Sequence, residues 1–238
     1  MNLAGKNILV VGGSSGIGLT LVQLLHSKNA TVFVISRNRS DQWADNVHHL
    51  QTDVTGQMDS IPDFLPEQLH GLVYAVGTIT LKPFNRLTTD DFLNDFTVNV
   101  LGAARVIQQA LKSLKNANGS SIVLLSSVAA KLGMPYHASI SAAKGALEAM
   151  ALTMAAEFAA QQIRVNVIAP SLTDTPLSEK LLNSPEKQES AAKRHPLGKY
   201  GQPGDISNMI AFLLSEDTNW ITGQIIGVDG GLGNLKTN

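Results

Sequence analysis

NILVVGGSSGIGL, residues 7–19, passes from an unbroken apolar run through a glycine turn into the start of a helical pattern. Ile8, Leu9, Val10 and Val11 do not alternate with polar residues, the signature of a strand buried on both faces of a parallel sheet. Gly12, Gly16 and Gly18 then form GxxxGxG. Glycine at such places allows positive φ and lets backbone N–H groups approach a ligand, while the following helix turns its positive end to the same spot. Strand, glycine turn and helix in that order predict a seat for a pyrophosphate, with Ser14, Ser15 and Ile17 in the turn beside the glycines.

The rest of the chain repeats this alternation. Ile17, Leu21, Leu24 and Leu25 recur at helical spacing, Asn29-Ala30 closes that helix, and Thr31 to Ser36 (TVFVIS) is a second buried strand, which completes a βαβ unit. Further strands are predicted over 47–52, 71–76, 121–126, 164–169 and 223–228. A long helix is predicted from Thr89, capped by Thr88, to about Lys115, with others over 139–160 and 203–215. Crossovers long enough for helices imply an α/β protein: one doubly wound parallel sheet (a Rossmann fold) with helices on both faces, a single domain over residues 1–238. Ligands of such a sheet sit over the carboxyl ends of its strands, which singles out Gly12 to Gly18, Ser36 to Arg39, Asp53-Val54, Tyr74 to Gly77, Ser126-Ser127 and Pro170 to Thr175. Pro170 to Tyr200 lacks any long apolar period, and a segment of that length is expected to be a lid or binding loop.

Composition narrows the partners. A 44% hydrophobic content supplies a sizeable core, and a formal net charge of −1 argues against nucleic acid or a membrane surface as the main partner, leaving a small-molecule substrate. With no cysteine there is no disulfide, thiolate nucleophile or zinc-thiolate site, and His26, His48, His49, His70 and His195 show no metal-ligand spacing, so no metal is expected. No apolar run is long enough to span a bilayer and no secretory pattern follows Met1, so the expected location is the cytoplasm.

Gly12, Gly16 and Gly18, Asp53-Val54, Asn99 in VNVLG, Ser127, Lys144 in ISAAKGAL, RVNVIAPS and the closing ITGQIIGVDGG together resemble the short-chain dehydrogenase/reductase family, in particular its 3-oxoacyl-carrier-protein reductase-like branch. The resemblance runs over essentially the whole chain. It implies that Asp53 bonds an adenine, that Thr175 in PSLTDT holds a nicotinamide carboxamide, and that Asn99, Ser127 and Lys144 belong to a catalytic tetrad. Its fourth member is a tyrosine four residues before the lysine, and here that position is Ile140. The segment usually written NNAG is Tyr74-Ala75-Val76-Gly77, which keeps the glycine, and PG is Pro170-Ser171. Ala75, Gly77 and Pro170 therefore remain cofactor contacts with altered neighbours.

An acidic residue about twenty positions after the glycine motif normally binds the ribose 2′-hydroxyl of NAD. Here the second strand ends in Ser36, followed by Arg37 and Arg39. Guanidinium forks beside a small hydroxyl suit a phosphate, so NADP(H) is the expected cofactor. Isoleucine can do none of a phenol's proton work. His137, three positions before Ile140, is the first candidate to replace it, with Tyr136 and Tyr74 as further possibilities. Two readings follow: an NADP(H)-dependent oxidoreductase acting on a carbonyl or hydroxyl group of a small or acyl-type substrate, weakened by the missing tyrosine, or a catalytically inactive cofactor-binding partner. Lys144 serves the second as well as the first, because it can hold ribose hydroxyls without chemistry. Ala142, Ala143, Ala146, Ala149, Ala155 and Ala156 give the 139–160 helix small surfaces, and with the resemblance they imply a homo-oligomer, a tetramer.

Overall fold

The computed structural model describes residues 1–236. Among them a seven-stranded sheet runs in the order β3-β2-β1-β4-β5-β6-β7. Its strands are β1 (Asn7–Val11), β2 (Thr31–Ser36), β3 (His48–Gln51), β4 (Gly71–Tyr74), β5 (Ser120–Leu125), β6 (Ile163–Pro170) and β7 (Ile225–Val228), each parallel to its neighbours. The helices are α1 (Gly16–Ser27), α2 (Ile61–Phe64), α3 (Thr89–Phe96), α4 (Gly102–Asn116), α5 (Ala138–Phe158), α6 (Glu179–Leu182), α7 (Pro185–Arg194) and α8 (Pro203–Leu214). The doubly wound parallel sheet is therefore present, with each predicted strand within two residues of its place.

The apolar run of β1 serves both faces at once. Leu9 and Val11 pack with Val106, Ala110 and Leu114 of α4 and Leu147 and Ala151 of α5, whereas Ile8 and Val10 pack with Leu21 and Leu25 of α1 and Ile206 and Ile210 of α8. Val11 stands level with Ile35 of β2 and Tyr74 of β4, so three strands end on one line and their following turns share one rim.

The long helix predicted from Thr89 begins as expected. Thr88 Oγ1 accepts from the Asp91 N–H at 3.2 Å and Asp91 Oδ2 accepts from the Thr88 N–H at 2.9 Å, a reciprocal cap. The helix is then interrupted by a π turn over Thr97–Leu101 between α3 and α4. Asn99 lies on that widened turn, a local geometry that often marks functional positions. The segment from 170 to 200 is more ordered than its sequence suggested, holding α6, α7 and a 3-10 turn at Pro176–Ser178.

Candidate active site

The carboxyl ends of β1, β2 and β4 open onto a cleft of about 490 Å³. Gly12 and Gly16 bend the chain there with φ of +87° and +52°, which a side chain would resist. Gly18 is needed for another reason: a Cβ on it would run into the carbonyl oxygen of Gly12. Ser14, Ser15 and Ile17 line the cleft between them. The indole Nε1 of Trp43 donates to the Gly13 carbonyl at 3.0 Å and braces the turn from behind.

Ser36, Arg37, Asp53 and Val54 line the far part of the cleft, and Ala75, Gly77 and Thr175 close its near end. Ser36 Oγ donates to the Asn38 carbonyl at 2.8 Å and lies 3.0 Å from His49 Nε2. Asp53 Oδ1 accepts from the Thr55 hydroxyl at 2.7 Å and the Thr55 N–H at 2.8 Å. Those bonds favour the carboxylate and hold Asp53 below the usual range, leaving it a charged acceptor at the rim.

A second cavity of about 290 Å³ lies beyond the ends of β4, β5 and β6, roofed by the 170–200 segment, and it shares Ala75, Gly77, Thr78 and Thr175 with the cleft. Ser127, His137, Ile140, Lys144 and Pro170 line it, and among the described residues no Asp or Glu does. Ser127 caps a 3-10 turn: its Oγ accepts from the Ala129 N–H at 3.2 Å, and its own proton has no acceptor among the described residues. The Lys144 ammonium donates to the Leu125 carbonyl at 2.7 Å. Burial pushes its pKa down to about 8, although the charge of Asp95 works the other way. Asn99 Nδ2 donates to the Asp95 carbonyl at 2.8 Å and to Thr78 Oγ1 at 2.9 Å, while Asn99 Oδ1 is buried without a partner among the described residues. This orphan oxygen and Lys144 Nζ flank the bare side of Gly77, where a Cβ would stand 3.4 and 3.6 Å from them. His137 Nδ1 is 2.7 Å from the Pro135 carbonyl, so in the neutral ring Nε2 is free.

Three expectations need correction. Arg39 does not join Arg37 at the cleft: its guanidinium lies 5.5 Å from the centre of the Trp43 ring, with Nη1 3.4 Å from the Val47 carbonyl. Tyr74 points into the core beneath α4, its hydroxyl donating to the Val98 carbonyl at 2.6 Å, and burial raises its pKa, so it offers no proton to the cavity. Tyr136 is 59% exposed and does not line the cavity; it lines a neighbouring pocket that shares Ala129 and Met134 with it. A group not foreseen is Asp95, fully buried, which accepts from the hydroxyls of Thr78 (2.5 Å), Ser139 (2.6 Å) and Thr80 (3.0 Å). Through Thr78 it fixes Asn99, and the four-residue spacing of Asp95 and Asn99 on one helical face was the available signal.

Residues 11–233 match the family described as enoyl-(acyl carrier protein) reductase. A tropinone reductase homolog of Arabidopsis thaliana is 33% identical, the alignment covering 97% of this chain and 94% of the relative. A 3-oxoacyl-[acyl-carrier-protein] reductase of Thermotoga maritima is also 33% identical, covering 98% of this chain and 99% of the relative. Among solved structures, a short chain dehydrogenase family protein of Francisella tularensis superposes with a TM-score of 0.89 at 31% identity, over 96% of this chain and 99% of that one. ElxO with NADP bound superposes with a TM-score of 0.87 at 28% identity, over 96% and 98%. Sequence likeness and superposition both extend over nearly the whole chain, and it belongs to the short-chain dehydrogenase/reductase family, a family of oxidoreductases.

Proposed function

We propose that this protein is an NADP(H)-dependent oxidoreductase that interconverts a carbonyl and a hydroxyl group on a small or acyl-type substrate. The observation that carries the reading is that the two cavities adjoin: the glycine-turn cleft and the space lined by Ser127 and Lys144 share Gly77, Thr78 and Thr175 in their walls. The residues fit a nicotinamide dinucleotide. The glycine turn leaves a cradle that side chains would fill, and at Gly77 an unpartnered amide oxygen faces an ammonium that makes one protein hydrogen bond, the donor and acceptor a ribose hydroxyl needs. Gly12 to Gly18 would hold the pyrophosphate, Asp53 and Val54 the adenine, Ser36 and Arg37 a 2′-phosphate, Asn99 and Lys144 the ribose, and Pro170 and Thr175 the carboxamide. ElxO with NADP bound is a relative at 28% identity that supports the choice of cofactor.

The chemistry such a cofactor supplies is hydride transfer. Ser127 has an uncommitted hydroxyl proton to donate to a carbonyl oxygen, and Lys144 brings a positive charge to the wall of the same cavity. His137, whose Nε2 is free, exchanges the proton at the substrate oxygen.

A second reading, a cofactor-binding partner without turnover, is favoured by Ile140, an alkyl side chain in the cavity wall one helical turn before Lys144. Calorimetric titration and a turnover assay separate the two. NADPH is expected to bind roughly tenfold or more tightly than NADH, because a guanidinium–phosphate bond adds a charge-assisted contact, and Arg37→Ala is expected to narrow that difference. Equal affinities overturn the cofactor assignment. NADPH binding with no turnover across ketones and 3-oxoacyl thioesters selects the second reading.

A further inference from the structure

We infer that Ser171 and His195 form a hydroxyl-reading site in the wall of the substrate cavity, so that the preferred substrate is a hydroxyketone with its hydroxyl one or two carbons from the carbonyl. The inference rests on the carbonyl chemistry proposed at Ser127 and names the substrate class that the same cavity selects. Both residues line that cavity. His195 follows the last residue of α7 and is 3% exposed. Its Nδ1 is 2.7 Å from the Ala191 carbonyl oxygen and its Nε2 is 2.8 Å from Ser171 Oγ. A carbonyl oxygen only accepts, so the hydrogen of the neutral ring resides on Nδ1 and Nε2 is an acceptor. Ser171 therefore donates to His195, a shorter contact than the 3.4 Å to the Asp229 carbonyl. With its proton committed, the Ser171 oxygen presents lone pairs to the cavity.

Ser127 is its complement. There the oxygen already accepts from the Ala129 N–H and the proton is unspent, so Ser127 presents a donor. The two share one cavity wall: β5 pairs with β6 up to Leu125 and Ile168, Ser127 follows the end of β5 by two residues, Ser171 directly follows β6, and both line the cavity. A carbonyl oxygen at Ser127 and a hydroxyl at Ser171 satisfy both groups. A plain ketone satisfies the first and sets alkyl carbon against the second, leaving a desolvated acceptor unpaired. Among the described residues no carboxylate lines the cavity to compete for the substrate hydroxyl, and Ile79, Met134, Leu177 and Leu181 supply an apolar surface for the rest of the molecule. If His195 merely latched the end of α7 to β6, ligand choice would be indifferent to Ser171.

The test is a titration by NMR of the protein saturated with NADP+, a complex that does not turn ketones over, using octan-2-one, 1-hydroxyoctan-2-one and 4-hydroxyoctan-2-one. At least one hydroxyketone should bind roughly tenfold more tightly than octan-2-one, the effect of one added neutral hydrogen bond. Ser171→Ala should abolish that preference, and Ser171→Thr should restore it. On the unmutated protein the imidazole nitrogen shifts of His195 should report the Nδ1–H tautomer and move with the hydroxyketone but not with octan-2-one, which keeps the test decisive even where a variant fails to fold. Equal affinity for the three ketones, no binding of any of them, or a preference that survives Ser171→Ala overturns the inference. NADP+ binding is measured separately: its failure overturns the cofactor reading and this inference together, whereas NADP+ binding without hydroxyl preference overturns this inference alone.

Discussion

Ile140, 5% exposed and one helical turn before Lys144, stands where a phenol would sit beside an ammonium whose charge favours the phenolate and lowers the phenol pKa toward the working range. Ile140→Tyr is therefore expected to raise kcat for a simple ketone with NADPH on the order of 10²-fold in steady-state assays. An unchanged kcat in an active protein would mean that another group already carries the proton. His137→Ala then decides whether that group is His137, by abolishing turnover while cofactor affinity is unaltered. Lys144 itself trades stability for function. Its pKa is depressed from 10.5 to about 8 by burial, so between those values the unfolded chain binds more protons and stability rises with pH. Lys144→Met removes the buried charge. It should raise Tm most below about pH 8, lose that advantage as pH approaches 10.5, and weaken NADPH binding throughout. A Tm difference that stays flat across this window would show that the charge is not penalised.

The glycine turn and α1 act as one element, held together by the contact between the Gly18 backbone and the Gly12 carbonyl. Because a Cβ on Gly18 meets backbone and not a yielding side chain, Gly18→Ala should lower Tm by several degrees and weaken NADPH binding, readable by calorimetry. Gly133, whose Cβ would meet nothing within 4 Å, is the control, and Gly133→Ala should leave both unchanged. This element was legible in the sequence, because an unbroken apolar run and a spaced set of glycines are local signals. Strand alternation could put Leu72 and Tyr74 on the same face of β4 but could not say that α4 covers it, so Tyr74 was misplaced. Arg39 follows Arg37 by two residues in a loop with no period, where stacking on Trp43 decides its direction. Ser171 and His195 are 24 residues apart and meet only because α7 returns its end to β6. Asp95 reads as a solvated helix charge until α5 brings Ser139 onto it.

At the scale of the molecule, the alanines of α5 divide between two surfaces. Ala143 and Ala155 pack inward with Ala151, whereas Ala142, Ala149 and Ala156 are exposed at intervals of seven, the spacing of a seam along one helical face. Leu152 on that outer side is 46% exposed, and on α3, which packs against α5, and the π turn beside it Leu93, Phe96 and Leu101 are 57%, 40% and 40% exposed. Small residues let a second helix approach closely, and the exposed apolar side chains around them gain from being covered. The expected assembly is a tetramer, built by α5 meeting α5 and enlarged through a second contact. Sedimentation of the native protein at micromolar concentration should give the tetramer mass. Ala149→Arg places a charge at the middle of the seam and should shift the distribution to smaller species, with NADPH affinity retained because Ala149 is exposed and lines neither the glycine cleft nor the cavity beyond it. A clean native monomer would overturn self-association, a clean dimer would overturn the tetramer, and an Ala149→Arg protein that sediments like the parent would move the contact off α5.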